Sequence, residues 1–245
     1  MLKNFLKLEK ALTSEQKMII DSTKAFVNQY LEPRIVNDYK NEVVDKSIFK
    51  EMGKMGILGP TIKGYNCLGD SYLTYGLIAK EIEAIDSGYR SMFSVQSSLV
   101  MNPINKFGSE EQKNKYLPEL ASGNMIGCFG LTEPDHGSNP AGMITNAQKD
   151  GNQYILNGSK TWISNSPIAD LFLVWAKDKS DDNKIKGFLI EKNTPGLIAP
   201  RIDGKLSLRA SVTGMIMMDD VKIPQENILK VEGLKGPFTC LNDAR

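Results

Sequence analysis

The chain has 245 residues, 41% of them apolar, with 30 Lys and Arg against 29 Asp and Glu for a net charge of +1. That apolar content excludes a disordered or collagen-like chain, and the length suits roughly one or two domains. The balanced charge removes any bulk electrostatic case for nucleic acid or an anionic membrane as partner.

In chain order, Thr13 and Gln16 read as a capping box, followed at helical spacing by Met18, Ile19, Ala25, Phe26 and Tyr30. A second helix is expected around Ile48, Phe49, Met52 and Met55, closed by Gly56. Residues 72–85 put Tyr75, Ile78, Ala79 and Ile82 on one face. Residues 92–107 do the same with Val95, Leu99 and Ile104, with a kink at Pro103. Ser109 to Gln112 repeats the capping pattern ahead of Tyr116, Leu117 and Leu120. The texture changes near Gly123. From Met125 to about Ile223, short apolar or alternating runs are broken by Gly, Pro and Asn, as strands are. Asp150-Gly151 and Asn157-Gly158 each carry a hairpin-turn signal, and strands are expected at 171–177, 185–191 and 214–218. The expected fold is α+β, an N-terminal all-helical domain over 1–124 followed by a β domain over 125–236, with a short last segment over 237–245.

Several chemistries lack their residues. The single histidine, His136, lies in the turn PDHGSNP, where a solvated loop residue is the plain reading, so no nucleophile–base pair is supported. Cys67, Cys128 and Cys240 have neither metal nor redox spacing and read as reduced thiols. There is no GxxxxGK[ST] and no GxGxxG, which leaves P-loop and Rossmann nucleotide binding unsupported. Carboxylates are plentiful, and no pair stands out. No apolar run reaches the about 20 residues of a membrane span, and the opening MLKNFLKLEK has neither signal nor transit character, so a cytoplasmic location without membrane insertion is expected.

Three stretches are unusual. In GCFGLTEPDHGS (127–138) a strand runs into a turn dense in hydroxyls and backbone NH groups, able to bind a ring carbonyl or a phosphate, although from spacing alone a Ser/Thr-stabilised β-turn is the preferred reading. In KTWISN (160–165) an indole stands beside a hydroxyl, as the wall of an aromatic cofactor would, though a strand tryptophan is more often core. In DSGYRS (86–91) Arg90 is read as falling between two helices, where its planar fork could take a carboxylate or simply be solvated.

Together these stretches resemble the acyl-CoA dehydrogenase family, over nearly the whole chain from about Leu12 to Arg245. The most specific segments are CFGLTEPDHGSNP, NGSKTWISNSPIADLFLVWA and SLRASVTGMIM. Members acting on glutaryl-CoA match further, on GPTIKGYNCLG, DSGYRSMFSVQSSLVMNPI and GPFTCLNDAR. The resemblance implies an antiparallel β-barrel or sandwich as the second domain, with FAD bound on it. Phe129, Gly130, Leu131 and Thr132 would line the flavin, with Gly137 and Ser138 in the following turn. Trp162, Ile163 and Ser164 would flank its other side, Ser164 near N5. Ser138 would also approach the acyl-CoA. The family usually has Thr at 164 and Asp at 139. Ser164 keeps the hydroxyl without the methyl that restricts its rotamer, and Asn139 removes a charge.

For a substrate ending in a carboxylate, the resemblance assigns Arg90 and Ser91 to that carboxylate. It makes Glu83 the acidic partner of Arg90, read as lying on the same helix side. Phe238, Leu241, Asn242 and Arg245 would hold the CoA part. It implies electron-transfer flavoprotein as acceptor and a homotetramer for the complete enzyme. The family's catalytic glutamate lies in a C-terminal helical domain, no residue here matches it, and the chain is expected to be the first two of three domains. The rival expectations are an inactive fragment or a flavin- or CoA-binding remnant without turnover, and a dehydrogenase for another short-chain acyl-CoA.

Overall fold

The computed structural model describes residues 8–244. A 3-10 turn at Leu8–Ala11 leads into α1 (Ser14–Phe26), whose Thr13–Gln16 capping box forms as expected. Helices α2 (Ile35–Asn41), α3 (Ser47–Lys54), α4 (Tyr72–Glu83), α5 (Ser87–Ser94), α6 (Asn102–Phe107) and α7 (Glu110–Ala121) complete the helical half. The Ser109–Gln112 box caps α7. α2 was not anticipated, because only Asp38 of its seven residues is buried and it presents no apolar face.

Residues 87–107 form one helical run rather than a helix starting at Met92. Asp86 accepts the amide of Gly88 and so starts α5 early. Between α5 and α6 the backbone widens into a π turn at Val95–Met101, and a second π turn at Val27–Leu31 follows α1. Each ends next to a proline: Asn102 N donates to Ser97 O ahead of Pro103, and Glu32 N to Val27 O ahead of Pro33. A proline cannot donate and its ring crowds the carbonyl four residues back, so an i to i−5 bond relieves both problems without breaking the helix. The expected kink at Pro103 is thus a widened turn.

The second half is a mixed sheet of β1 (Gly127–Gly130), β2 (Asn146–Asp150), β3 (Gln153–Ser164), β4 (Leu171–Asp178), β5 (Lys184–Glu191), β6 (Leu197–Ile198), β7 (Thr213–Pro224) and β8 (Ile228–Glu232). Its order is β6-β7-β3-β2-β4-β5-β8, with β1 on β4. Most pairings are antiparallel as expected; β1 and β2 run parallel to β4. The continuous apolar run of β4 is buried on both faces. Leu171, Leu173 and Trp175 join the core shared with the helices, while Phe172, Val174 and Ala176 join the core on the sheet's other face. Phe129 and Cys128 of β1 divide the same way. α8 (Lys235–Ala244) then returns to the helical half.

Asp150-Gly151 turns the β2–β3 hairpin, but Asn157-Gly158 turns nothing: both residues lie inside β3. Gly158 has φ +136° at a register shift between β3 and β7, and a Cβ there would sit 2.7 Å from Thr145. The Asn157 amide is absorbed by two hydrogen bonds with Asp220, each 2.9 Å. The glycine therefore marks a bulge and a close approach. Gly158→Ala is expected to destabilise the fold by about 2–4 kcal/mol through backbone strain and overpacking, read as a lower urea midpoint.

Candidate functional site

Four segments converge on a cleft of about 580 Å³. Phe129, Leu131, Thr132, Gly137 and Ser138 line it from β1 and the following loop, and Trp162, Ile163 and Ser164 from the end of β3. Phe238, Leu241 and Asn242 close it from α8. Val95 and Leu99, on the π turn, and Pro140 also line it. By sequence, Val95 and Leu99 read only as part of an apolar helix face. Gly130 lies behind the wall, where a Cβ would meet Ile216 and Lys160. Glu83, Arg90 and Ser91 do not line the cleft, and Arg245 lies outside the described residues.

Each wall is held by an identifiable device. Gln96, fully buried on the π turn, donates to Leu120 O (3.0 Å) and Met125 O (2.8 Å) and accepts from Gly127 N (2.8 Å). It thereby fastens Val95 and Leu99 to the start of β1. α8 is anchored through Asp243, which accepts from Tyr72 Oη at 3.0 Å and pairs with Lys106. Gly236 allows the first turn of α8 to press on Trp175, whose ring would lie 2.5 Å from an added Cβ.

Trp162 departs from the core reading. It is 60% exposed with φ +59°, at a second register shift in the β3–β7 pairing, which resumes at Ile163 and Gly214, and the buried tryptophan is Trp175. A bulky residue held in the left-handed region with its ring in solvent is strained and presents apolar surface without structural gain, which points to a binding wall. The same indole and Ser164 also border a neighbouring cavity of about 360 Å³ lined by Lys205–Leu208, Ser211 and Thr213. Among the described residues the side-chain hydroxyls of Thr132, Ser138 and Ser164 make no hydrogen bond. Free hydroxyls around an apolar cleft with an indole wall fit a flat heteroaromatic ring with a polar edge.

Behind this wall lies a buried ion pair. Lys160 Nζ donates to Glu133 Oε1 (2.9 Å) and Leu131 O (3.1 Å). The Glu133 carboxylate also accepts from Ile144 N (2.7 Å) and Thr145 N (2.9 Å). Burial alone would raise the Glu133 pKa, but the bonds from Thr145, Ile144 and Lys160 outweigh it and hold it below the usual range. Burial pulls Lys160 down to about 8, only partly offset by Glu133. A ¹³C-lysine NMR titration should show one resonance moving near pH 8; lysines titrating only near 10 would contradict this.

Arg90 is not between helices but in the first turns of α5, since Asp86 caps that helix. Glu83 ends α4, so the two are not on one helix. They nonetheless meet across the α4–α5 corner, Nε to Oε2 at 2.7 Å. Nη1 reaches Ser94 Oγ at 3.3 Å, a hydroxyl that also receives Tyr75 Oη at 2.9 Å. Nη2 has no partner among the described residues. The guanidinium is thus oriented from one edge and free on the other, one turn before Val95.

Among the described residues there is no cluster of His, Cys, Asp and Glu that could hold a metal, and no helix long and apolar enough to cross a membrane. His136 stands against Gly142 within its loop and outside the cleft.

Residues 13–124 match the acyl-CoA dehydrogenase N-terminal domain and residues 128–221 the acyl-CoA dehydrogenase middle domain. The chain belongs to the acyl-CoA dehydrogenase family. A glutaryl-CoA dehydrogenase from Mycobacterium smegmatis, solved in complex with FADH2, superposes with a TM-score of 0.94 at 45% identity, over 98% of this chain and 61% of that one. Butyryl-CoA dehydrogenase from Megasphaera elsdenii superposes with a TM-score of 0.89 at 34% identity, over 95% and 63%. An acyl-CoA dehydrogenase of Bacillus subtilis is 36% identical over 225 residues, 91% of this chain and 59% of its own length. The chain therefore spans less than two thirds of the relatives it matches.

Proposed function

We propose that the cleft binds FAD with its flavin ring against Trp162 and an acyl-CoA beside it. The complete enzyme would carry out α,β-dehydrogenation of glutaryl-CoA with decarboxylation to crotonyl-CoA. The observation that carries this is the convergence of free hydroxyls, an exposed strained indole and α8 on one cleft. When bound, FAD supplies the hydride acceptor. The chain's own part is to bind and orient: Thr132, Ser138 and Ser164 offer hydroxyls, Trp162 stacks, Phe129 and Leu131 exclude water, and Phe238, Leu241 and Asn242 face the CoA thioester arm. Arg90 and Ser91, upstream of Val95 on the same helical run, would take the far carboxylate. A carboxylate buried without a cation would be costly, so one oriented arginine suits this substrate over a neutral acyl chain. Electron-transfer flavoprotein as acceptor and a homotetramer are supported by the family resemblance.

A second reading is binding without turnover; among the described residues no carboxylate lines the cleft, and since the resemblance puts the base in a C-terminal helical domain, both readings share FAD binding as their premise. Titrating the purified chain with FAD tests the shared premise. Flavin fluorescence should be quenched and the visible band should stay with the protein after desalting. Colourless protein and unchanged fluorescence would count against both readings.

A further inference from the structure

We propose that Lys160 and Glu133 are positioning residues for the flavin, their ion pair riveting the loop after β1 to β3 and so setting the span between Thr132 and the Trp162–Ser164 wall. This rests on the flavin reading above. Neither residue lines the cleft, so both act through others. Lys160 is 0% and Glu133 2% exposed. From that position Lys160 holds Leu131 O, while Glu133 holds the amides of Ile144 and Thr145, at the far end of the loop that carries Gly137 and Ser138. A backbone bond from Thr161 N to Thr132 O, 2.9 Å, lies alongside. Lys160 is also the last residue of β3 in regular register with β7 before the shift that turns Trp162 outward.

A buried ion pair seldom adds net stability over apolar side chains of equal volume, because both charges must leave water. Its distinctive contribution is direction. Four hydrogen bonds from two side chains fix both ends of one loop against the base of the bulge, which apolar packing would leave free to slide.

The test compares Lys160→Met/Glu133→Gln, which leaves no bare buried charge, with Tyr89→Phe. The latter loses the buried 2.6 Å Tyr89–Asp38 bond in the helical half and serves as a destabilised control. The double variant should keep the far-UV CD of the wild type. It should bind FAD at least tenfold more weakly, quench flavin fluorescence less, and exchange the Thr161 amide at least tenfold faster. Tyr89→Phe should alter none of these three. Unchanged FAD affinity and spectrum in the double variant, or an equal loss in Tyr89→Phe, overturns the proposal. If the double variant does not fold, Glu133→Gln alone is held to the same readouts. If the wild type itself takes up no FAD, the flavin reading fails, and the rivet is judged on Thr161 exchange alone, where unchanged protection overturns it.

Discussion

Replacing Arg90 by alanine is expected to weaken glutaryl-CoA binding to the FAD-loaded protein by roughly 100-fold, while butyryl-CoA changes by less than about threefold. A hundredfold is about 2.7 kcal/mol, within the range for hydrogen bonds to a charged group. The selectivity follows from the geometry: Glu83 and Ser94 fix one edge of the guanidinium, and the free Nη2 edge is meaningful only to a ligand that ends in an anion. Calorimetry with the two CoA esters reads it directly, and equal losses on both would remove the carboxylate role. The holding pair has its own pH window. Hydrogen bonds from Ser87 and then Arg90 keep the Glu83 carboxyl below its ordinary 4.5. The pair is therefore complete at neutral pH and is lost as pH falls through that lowered value.

Lys160→Met should destabilise the protein by about 3–5 kcal/mol, because it strands a buried carboxylate with only two amide donors. Lys160→Met/Glu133→Gln should recover much of that loss, since no bare charge remains. Urea unfolding of the three proteins checks this, and a Lys160→Met cost below about 1 kcal/mol would show that the pair is not buried as described. The pH dependence has the same sense as that of Glu83, in a higher window. Lys160 loses its proton near 8 when folded and near 10.5 when unfolded, so between those values the unfolded chain binds more protons. Its own contribution to stability therefore rises with pH across that interval.

The sequence was most legible where a local rule and the tertiary fold agree. Capping boxes at Thr13 and Ser109, the Asp150-Gly151 turn and the apolar run of β4 each became what their chemistry dictates. Asn157-Gly158 carries the same local signal as a hairpin, but the tight approach of Thr145 and the pairing of β3 with β7 over its full length override it. Arg90 reads as lying between helices unless Asp86 is taken as the cap that starts α5. The resemblance names Glu83 as its partner and the seven-residue spacing reads as one helix side, whereas the contact is made around a corner. The cleft segments 129–138, 162–164 and 238–242 were legible through the family resemblance far more than through spacing. Val95 and Leu99 were hidden because an apolar residue lining a cleft looks in sequence like one lining a core. Glu133 and Lys160 stood inside quoted motifs yet went unpaired, since 27 residues separate them and only the return of β3 brings them within 2.9 Å.

The most direct measurement is a crystal structure of the chain grown with FAD. The flavin ring should lie in the larger cleft, between the Leu131–Thr132 segment and the Trp162–Ser164 wall, with the hydroxyls of Thr132 and Ser164 at its polar edge. A ring seated instead in the neighbouring cavity between Trp162 and the Lys205–Thr213 loop, or no bound flavin at saturating FAD, would contradict the assignment of this cleft.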